Sequence, residues 1–242
     1  MTAKELTEAL QEYAESEKAE FFPRFFKTGE GEYGEGDKFI GVTVPNIRRV
    51  CKQFKDLPLS EIWKLLESPI HEHRLSAVIL LVMQYKKADA KKRDEIFDLY
   101  MKAVYAGRVN NWDIVDLSAE YIIGPHEQDG DRKLLFDLAR SGDLWQKRIG
   151  IMSAFWYVQH GDPATTIALA EILLHDKHDL IQKAVGWQLR EVGKRCDRQL
   201  LIDFLDKHAA TMPRTALRYA IEHLPLEQKR HYMHMAKNTA KS

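Results

Sequence analysis

The chain of 242 residues is poor in cysteine and has no long apolar run. Cys51 and Cys196 are its only cysteines, which are too few for a disulfide framework or a cysteine zinc site. No apolar stretch approaches the roughly 20 residues that are needed to cross a bilayer. The first residues, Met-Thr-Ala-Lys-Glu-Leu, lack a basic stretch followed by an apolar one, so we expect no signal peptide. These absences predict a cytoplasmic protein without a membrane partner.

The formal net charge is also zero, because 36 Lys and Arg residues balance 36 Asp and Glu residues. A neutral total argues weakly against a generic nucleic-acid binder. The charges are unevenly distributed, however, with ten acids and five bases in residues 1–40 and thirteen bases and eight acids in residues 175–242. The neutral total can therefore hide a basic surface.

Recognised catalytic and cofactor motifs are missing as well. The sequence has no nucleophile elbow and no phosphate-binding loop. Three glycines in the segment 28–37 spell G-x-G-x-x-G, but no strand precedes them and the neighbouring glutamates would repel a pyrophosphate. We therefore interpret this segment as an acidic loop. The histidines, including His71 and His73, have no carboxylate or cysteine at a recognised ligand spacing, so we predict no metal and no cofactor.

What the sequence does contain is helical periodicity throughout. Apolar residues recur at i, i+3, i+4 and i+7 in the segments 59–68, 74–85, 94–105 and 180–192. Prolines and glycines separate these segments, and alternating strand patterns with hairpin turns are missing. The pattern predicts an all-α protein.

A weak internal repeat predicts how the helices are arranged. Residues 144–149 align with residues 180–185 at an offset of 36, and a period in the mid-thirties is typical of helical-repeat arrays. We predict an α-α superhelix, a HEAT-like or ARM-type solenoid of about six antiparallel helix pairs. Its concave face would be the binding surface.

The domain prediction is a single HEAT-like repeat domain over residues 1–242. Within it we expect an irregular first helix pair at 1–27, an acidic Gly-rich loop at 28–43, and a C-terminal cap and tail at 225–242.

The helix that begins at Asn110 and Asn111 carries the most informative pair of residues. Trp112 and Asp116 are four residues apart and share one face. The other face of the predicted helix is apolar and is formed by Ile114, Val115, Leu117, Tyr121 and Ile122. A tryptophan beside a carboxylate in a groove indicates a chemical role. The alternative is a packed tryptophan with first-turn acids that favour the helix dipole.

Two further helices carry candidate cations. Arg148 lies one repeat after Trp112, which would place its guanidinium near Asp116; the alternative is a structural ion pair. The second helix has a stripe at i, i+4, i+7 and i+11, formed by Lys183, Trp187, Arg190 and Lys194. Such a stripe suits phosphate contact and stacking, although a solvated charged face is the alternative. Further DNA-contact candidates are Lys147, Arg48 and Arg49.

At these residues the chain resembles the AlkD-like family of DNA alkylation-repair glycosylases. The segments that carry the resemblance are Phe-Ile-Gly-Val at 39–42, Asn-Trp-Asp-Ile-Val-Asp at 111–116, Leu-Trp-Gln-Lys-Arg at 144–148 and Ile-Gln-Lys-Ala-Val-Gly-Trp at 181–187. They follow the family's order and spacing from about residue 20 to residue 220. The chain departs from some members in having Asn111 before the tryptophan and a longer acidic loop.

The resemblance implies an α-helical solenoid that excises cationic alkylated purines, such as N3-methyladenine and N7-methylguanine, from duplex DNA. It implies that Asp116 is the catalytic carboxylate, that Arg148 is the accompanying arginine, and that Trp112 and Trp187 are the aromatic contacts. The implied partner is double-stranded DNA containing alkylated bases. We expect a monomer, which suits a groove that wraps DNA. Two alternatives stay open, a non-catalytic protein that binds branched or damaged DNA and a protein-interaction scaffold.

Overall fold

A computed structural model describes residues 1–238 of the chain, with side chains to residue 235. The described residues form sixteen α-helices and no β-strand; Lys38 and Ile70 make an isolated bridge pair. The described residues divide into two compact units, the first over Met1–Ile122 and the second from Ile123 onwards.

The first unit contains seven helices and the beginning of an eighth. Their bounds are α1 Ala3–Gln11, α2 Ser16–Phe25, α3 Val44–Gln53, α4 Leu59–Leu66, α5 His71–Tyr85, α6 Ala90–Tyr105, α7 Trp112–Asp116 and α8 Ala119–His126, the last of which continues past Ile122.

The second unit contains the end of α8 and eight further helices. Their bounds are α9 Lys133–Ala139, α10 Leu144–Ser153, α11 Phe155–Gln159, α12 Ala164–Leu173, α13 Asp179–Arg195, α14 Arg198–His208, α15 Arg214–Ala220 and α16 Leu226–Asn238.

Polar caps explain where several helices begin. Thr2 and Glu5 form a capping box at α1, in which each side chain satisfies a backbone N–H that the helix leaves unpaired. Asp89, Asp143 and Asp197 accept a backbone N–H at the start of α6, α10 and α14. A short acceptor at the N-cap stabilises a helix by about 1 kcal/mol.

The core of the first unit is built around α5. Twelve of its fifteen residues are buried, and α3, α4, α6 and α7 all pack against it. A helix that is covered on every side reads as a nearly continuous apolar run, as residues 75–82 do. The exceptions are His71, Glu72 and Arg74 in its first turn, which are buried although they are polar or charged.

The core of the second unit is built around α13, which packs against α10, α12, α14 and α15. Gly186 permits the approach of α15, because a Cβ at this position would lie 2.2 Å from the carbonyl oxygen of Ala216. The two segments that the 36-residue offset aligned belong to α10 and α13, and Gln188 of α13 donates to the carbonyl oxygen of Ile151 in α10 at 2.9 Å. The repeated segments are therefore packed neighbours.

The predicted all-α class, with its α-α superhelical repeat, is confirmed. The four segments read as helical correspond to α4, α5, α6 and α13, with ends that differ by a few residues. No helix within the described residues combines the length and apolarity that crossing a bilayer would require. The single-domain assignment stays a prediction, and residues 239–242 of the predicted tail lie outside the described part of the chain.

Candidate functional site

The short helix α7 carries the two residues of the Trp-x-x-x-Asp spacing. Asn111 caps it, and the amide N–H of Trp112 donates to the Asn111 Oδ1 at 2.9 Å. Ile114 is fully buried, whereas Trp112 and Asp116 at the two ends are half-buried. The apolar side of this helix is therefore buried, and Trp112 and Asp116 are partly accessible; their chemical role stays a prediction.

The helix is shorter than the sequence indicates, because it ends at Asp116 and a new helix begins at Ala119. Ser118 causes the break. Its hydroxyl donates to the carbonyl oxygen of Ile114 at 2.6 Å, and its amide N–H turns instead to Val115 at 3.1 Å. A serine that competes for a carbonyl in this way interrupts the helical ladder. Reading Tyr121 and Ile122 as part of the same helix was therefore wrong.

Trp112 belongs to an aromatic cluster. Its indole stacks on the ring of Phe26, with centroids 5.5 Å apart and planes 15° apart, and meets the edge of Phe25 at 5.8 Å. Phe26 in turn stacks on Phe39 at 5.0 Å. Offset stacking and edge contacts of this kind stabilise aromatic pairs beyond the area they bury. One face of the indole is therefore held by protein.

The two aspartates of the motif have different surroundings. Asp113 is buried, with its Oδ2 2.8 Å from the Nε2 of His71 and its Oδ1 accepting the amide N–H of Ile114 at 2.8 Å. Asp116 is half-buried and acts electrostatically on Tyr100, whose pKa is raised first by burial and further by this negative charge. The hydroxyl of Tyr100 lies 2.8 Å from Ser118 Oγ. Only the second aspartate therefore lies within reach of solvent.

Behind α7 lies a buried polar network that the sequence reading missed. The two ring nitrogens of His71 lie 3.1 Å from Asp37 Oδ2 and 2.8 Å from Asp113 Oδ2, and Arg74 pairs with the other oxygen of Asp37. Burial alone would lower the pKa of His71, but the hydrogen bonds and charges of Asp113 and Asp37 outweigh it and raise this pKa to about 9. The network is a buried cluster of two acids and two bases.

No local motif in the sequence identifies this network. The two acids that pair with His71 lie 34 and 42 positions away from it, so no local spacing connects them. The one available signal is that His71, Glu72 and Arg74 stand at the start of an otherwise apolar segment, where burial of polar groups requires partners.

The acidic segment 28–37 is a folded series of turns. Gly31 and Gly36 adopt positive φ, which glycine adopts at little cost. The amide N–H of Gly29 donates to the Glu32 carboxylate, and that of Gly31 donates to the Glu35 carboxylate, each at 2.9 Å. These glutamates therefore stabilise the turns. Asp37 ends the segment. Its buried carboxylate accepts a hydrogen bond from Arg74 and lies beside His71. The segment is thereby anchored to the polar network.

In the second unit, Arg148 lies buried on α10. Its Nη1 donates to the carbonyl oxygen of Leu180, in the first turn of α13, at 2.6 Å. A buried guanidinium needs acceptors in this way, because an unsatisfied charge would be strongly destabilising. The expected proximity of Arg148 to Asp116 stays a prediction.

Trp187, on the same helix α13, is half-buried. Its indole packs on Phe155 with centroids 4.6 Å apart and contacts a small core that contains Val158 and Val192. The indole therefore has a packing role in addition to any contact with a ligand.

The predicted cationic residues of α10 and α13 are largely engaged with acids. Lys183 pairs with Asp179 at 2.7 Å and Lys147 with Asp176 at 2.8 Å. Arg190 pairs with Glu191 at 3.2 Å and also contacts Glu222. The Lys183–Asp179 pair is exposed, at 38% and 57%, and exposed pairs contribute only about 0–1 kcal/mol, so a phosphate can compete for Lys183. Lys147 and Arg190 are held by acids that are only 12% and 5% exposed, so a phosphate would have to displace better shielded partners.

The remaining predicted DNA contacts are exposed side chains. Lys194 is exposed on α13, and Arg48 and Arg49 are exposed on α3, where the guanidinium of Arg49 lies 5.8 Å from the ring centroid of Tyr13. Among the residues that the structure describes, no group of three or more His, Cys, Asp or Glu side chains could hold a metal ion.

Comparison with known proteins gives two findings. The sequence model of a family described as "DNA alkylation repair enzyme" matches residues 6–224 of the chain. A solved structure described as a predicted DNA alkylation repair enzyme from Enterococcus faecalis superimposes with a TM-score of 0.66 and 15% sequence identity, covering 88% of this chain and 97% of that one. At this identity the likeness extends to the fold alone. A search of curated sequences finds no match.

Proposed function

We propose that this protein, which belongs to the DNA alkylation repair enzyme family, is a DNA glycosylase that hydrolyses the N-glycosidic bond of cationic alkylated purines in duplex DNA. Membership of the family supports a role in the repair of alkylated DNA and DNA as the partner. The excision reaction, its substrates N3-methyladenine and N7-methylguanine, and the residue roles are the proposal.

The observation that carries the proposal is the difference between the two aspartates of α7. Asp113 is buried and bonded to His71, whereas Asp116 is half-buried at the end of the helix that Trp112 begins. A solvent-accessible carboxylate one helical turn from an indole suits a reaction that builds positive charge. This arrangement supports Asp116 as the catalytic carboxylate.

The chemistry of the substrate explains why a carboxylate suffices. A purine alkylated at N3 or N7 carries a positive charge, so it leaves as a neutral base without a proton from a general acid. Breaking its bond to the sugar builds positive charge on the deoxyribose, as in glycoside hydrolysis. Asp116 would stabilise that charge electrostatically and orient the attacking water.

The indoles and the arginine would assist at the sugar and the phosphate. The face of Trp112 opposite Phe26 and the accessible part of Trp187 would stabilise the developing cation through the ring quadrupole. Arg148 would bind a backbone phosphate in a charge-assisted hydrogen bond and orient Asp116. Because its side chain is buried and donates to the carbonyl oxygen of Leu180, the phosphate contact would require the guanidinium to become accessible when DNA binds. In this proposal Lys147, Lys183, Arg190, Lys194, Arg48 and Arg49 contact further phosphates, so binding would weaken steeply with salt.

Base release from methylated duplex DNA tests the proposal. We expect the wild-type protein to release N3-methyladenine or N7-methylguanine above the rate of spontaneous depurination. We expect Asp116→Asn to lower the rate by about 100-fold or more, because the charge complementary to the transition state is lost, while DNA binding survives. Chromatography of the free bases measures the reaction.

Asp98→Asn is the matched control, because Asp98 is an exposed aspartate on the neighbouring helix α6. It should leave base release unchanged. Wild-type protein that binds methylated duplex DNA but releases no base would contradict the glycosylase proposal and favour DNA binding without excision. An Asp116→Asn rate equal to that of the wild type would remove Asp116 from the mechanism.

A further inference from the structure

The hydrogen bonds of His71 define its protonation state. Both ring nitrogens face a carboxylate oxygen, at 3.1 Å from Asp37 and 2.8 Å from Asp113. An ionised carboxylate only accepts hydrogen bonds, and a neutral imidazole carries one N–H. Both contacts can be hydrogen bonds only when both nitrogens are protonated. With both carboxylates ionised, the geometry therefore requires an imidazolium between the two acids.

The two acids belong to different elements, and the imidazolium joins them. Asp37 ends the acidic segment 28–37, and Asp113 is the second residue of α7, directly after Trp112. Both side chains are nearly inaccessible, at 4% and 7% exposure, as is His71 at 2%. Hydrogen bonds among charged groups in such a setting are strong and leave little freedom.

His71 is also connected to Trp112 indirectly, through packed aromatic rings. The imidazole of His71 packs on Phe26 at 4.7 Å and stacks on Phe39 at 4.8 Å. The ring of Phe26 is the one on which Trp112 stacks. The orientation of Trp112 is thereby tied to His71 both along α7 and across the aromatic cluster.

The positive charges of His71 and Arg74 match the negative charges of Asp37 and Asp113 only while His71 is protonated. Asp37 from the loop and Asp113 from α7 face the positive charges of His71 and Arg74 from α5. Glu72, the remaining charged neighbour, accepts hydrogen bonds from the backbone N–H groups of residues 40–42 at 2.9–3.2 Å; Phe26 and Phe39 add no charge. A neutral His71 would break one of its two hydrogen bonds and leave uncompensated negative charge in the protein interior.

We infer that the His71 imidazolium is a positioning residue, which holds α7 between the acidic segment and the aromatic cluster and so sets the orientation of Trp112 and Asp116. As a statement about catalysis this inference rests on the proposed function, whereas the coupling of His71 to Trp112 is a property of the free protein. His71 itself need not touch the substrate. Its loss would act through a misplaced α7, and displacements of about 1 Å in an active site can cost about 100-fold in rate.

Nuclear magnetic resonance of the free, full-length protein tests the coupling. The histidine ring carbon signal of His71 and the indole N–H signal of Trp112 are assigned with His71→Gln and Trp112→Phe and are followed from pH 7 to pH 10. We expect the Trp112 signal to shift with the same midpoint as His71, near its pKa of about 9. The shift should vanish in His71→Gln.

His73→Gln is the matched control, since His73 lies on the same helix but bonds to Ser68, and burial lowers its pKa to about 4. That variant should keep the transition of Trp112. A Trp112 signal that stays constant while His71 titrates, or a transition that persists in His71→Gln, would overturn the inference. Should His71→Gln not fold, Asp113→Asn serves instead; it should move both midpoints downward together, and midpoints that separate would count against the coupling.

The pH dependence of base release tests whether His71 positions the catalytic residues. After subtraction of spontaneous depurination, the wild-type kcat should fall as pH rises through about 9, whereas His71→Gln should show a kcat about 10 to 100-fold lower with no such fall and a KM close to that of the wild type. A pH profile identical in the two proteins would refute the positioning role. Wild-type protein without any base release would refute the proposed function instead, and the resonance experiment would still decide the coupling.

Discussion

The candidate residues of the two compact units are held in place by different kinds of interaction. In Met1–Ile122, Trp112 and Asp116 stand on a helix of only five residues, and its second residue is bonded to a buried imidazole. In the second unit, Arg148 and Trp187 stand on helices of ten and seventeen residues, which are packed through close backbone contacts at Gly150 and Gly186. The first arrangement depends on charge, and the second depends on steric fit.

This difference has consequences for how each region responds to its surroundings. A five-residue helix is too short to be stable by itself, so α7 needs its polar partners, and those partners change protonation with pH. A packed helix such as α13 is held mainly by buried apolar side chains, and the packing of these side chains does not change with pH. We therefore expect pH to act on the first region and volume changes to act on the second.

The largest expected effect comes from His71→Gln in the first region. Removing one charge from a buried, hydrogen-bonded cluster costs about 3 kcal/mol or more in the free energy of unfolding. The pKa of His71 is raised from 6.5 to about 9 in the folded protein, so its contribution is fully present below pH 6.5 and is lost as pH rises through about 9. Urea unfolding at pH 6.5 and pH 9.5 measures the change.

The free energies of unfolding of the wild type and His71→Gln should therefore approach each other as pH rises, by roughly 1 kcal/mol per pH unit. His73→Gln again controls for the substitution. A difference that stays constant from pH 6.5 to pH 9.5 would mean that His71 is not held as a cation.

A smaller effect is expected from Gly186→Ala in the second region. The new Cβ would lie 2.2 Å from the carbonyl oxygen of Ala216 and 2.6 Å from the Cβ of Tyr219, so α15 would have to move. Overpacking of this kind costs about 1–3 kcal/mol, and urea unfolding should give the same loss at both pH values. Gly142→Ala, where nothing lies within 4 Å, should change stability little; equal losses in the two variants would argue against the close approach of α13 and α15.

The smallest expected effect comes from Glu222→Gln, which removes one partner of Arg190. Glu222 is 54% exposed, so stability should change by less than about 1 kcal/mol. Affinity for duplex DNA at low salt should rise a few-fold, because Arg190 then competes less with an acid for phosphate. Titration of a labelled duplex with each protein measures this affinity. Glu227→Gln removes an equal charge from α16, and an equal gain in both variants would speak against a contact by Arg190.

The fold was predictable to the extent that it follows from local pattern. Apolar spacing predicted α4, α5, α6 and α13, and the 36-residue offset predicted that α10 and α13 are related. These features depend on residues three to four positions apart, or on a repeated segment, and both kinds of signal are visible in a single chain. The end of α7 was missed because it depends on the hydroxyl of Ser118, which bonds to the carbonyl oxygen of Ile114 and lies 2.8 Å from the hydroxyl of Tyr100.

The candidate site was predictable in part. The spacing of Trp112 and Asp116 indicated a shared face, and their burial agrees with it. The spacing of Trp112 and Asp116 could not show that Asp113 is bonded to His71. Nor could the sequence pattern of α13 show that Arg190 pairs with Glu222, which lies in the turn after α15. Each of these contacts joins residues more than 30 positions apart, and a single sequence carries no record of such pairs.

By itself the sequence determined that this protein is helical, that two of its segments are repeats of each other, and that Trp112 and Asp116 occur four residues apart. Helical period and chain spacing are enough for such features, since they reflect backbone geometry. Only the tertiary structure decided which aspartate is buried, which histidine is charged and which ring supports Trp112. Those outcomes depend on the loss of water around groups that are distant in the chain, and burial makes their charges and hydrogen bonds strong.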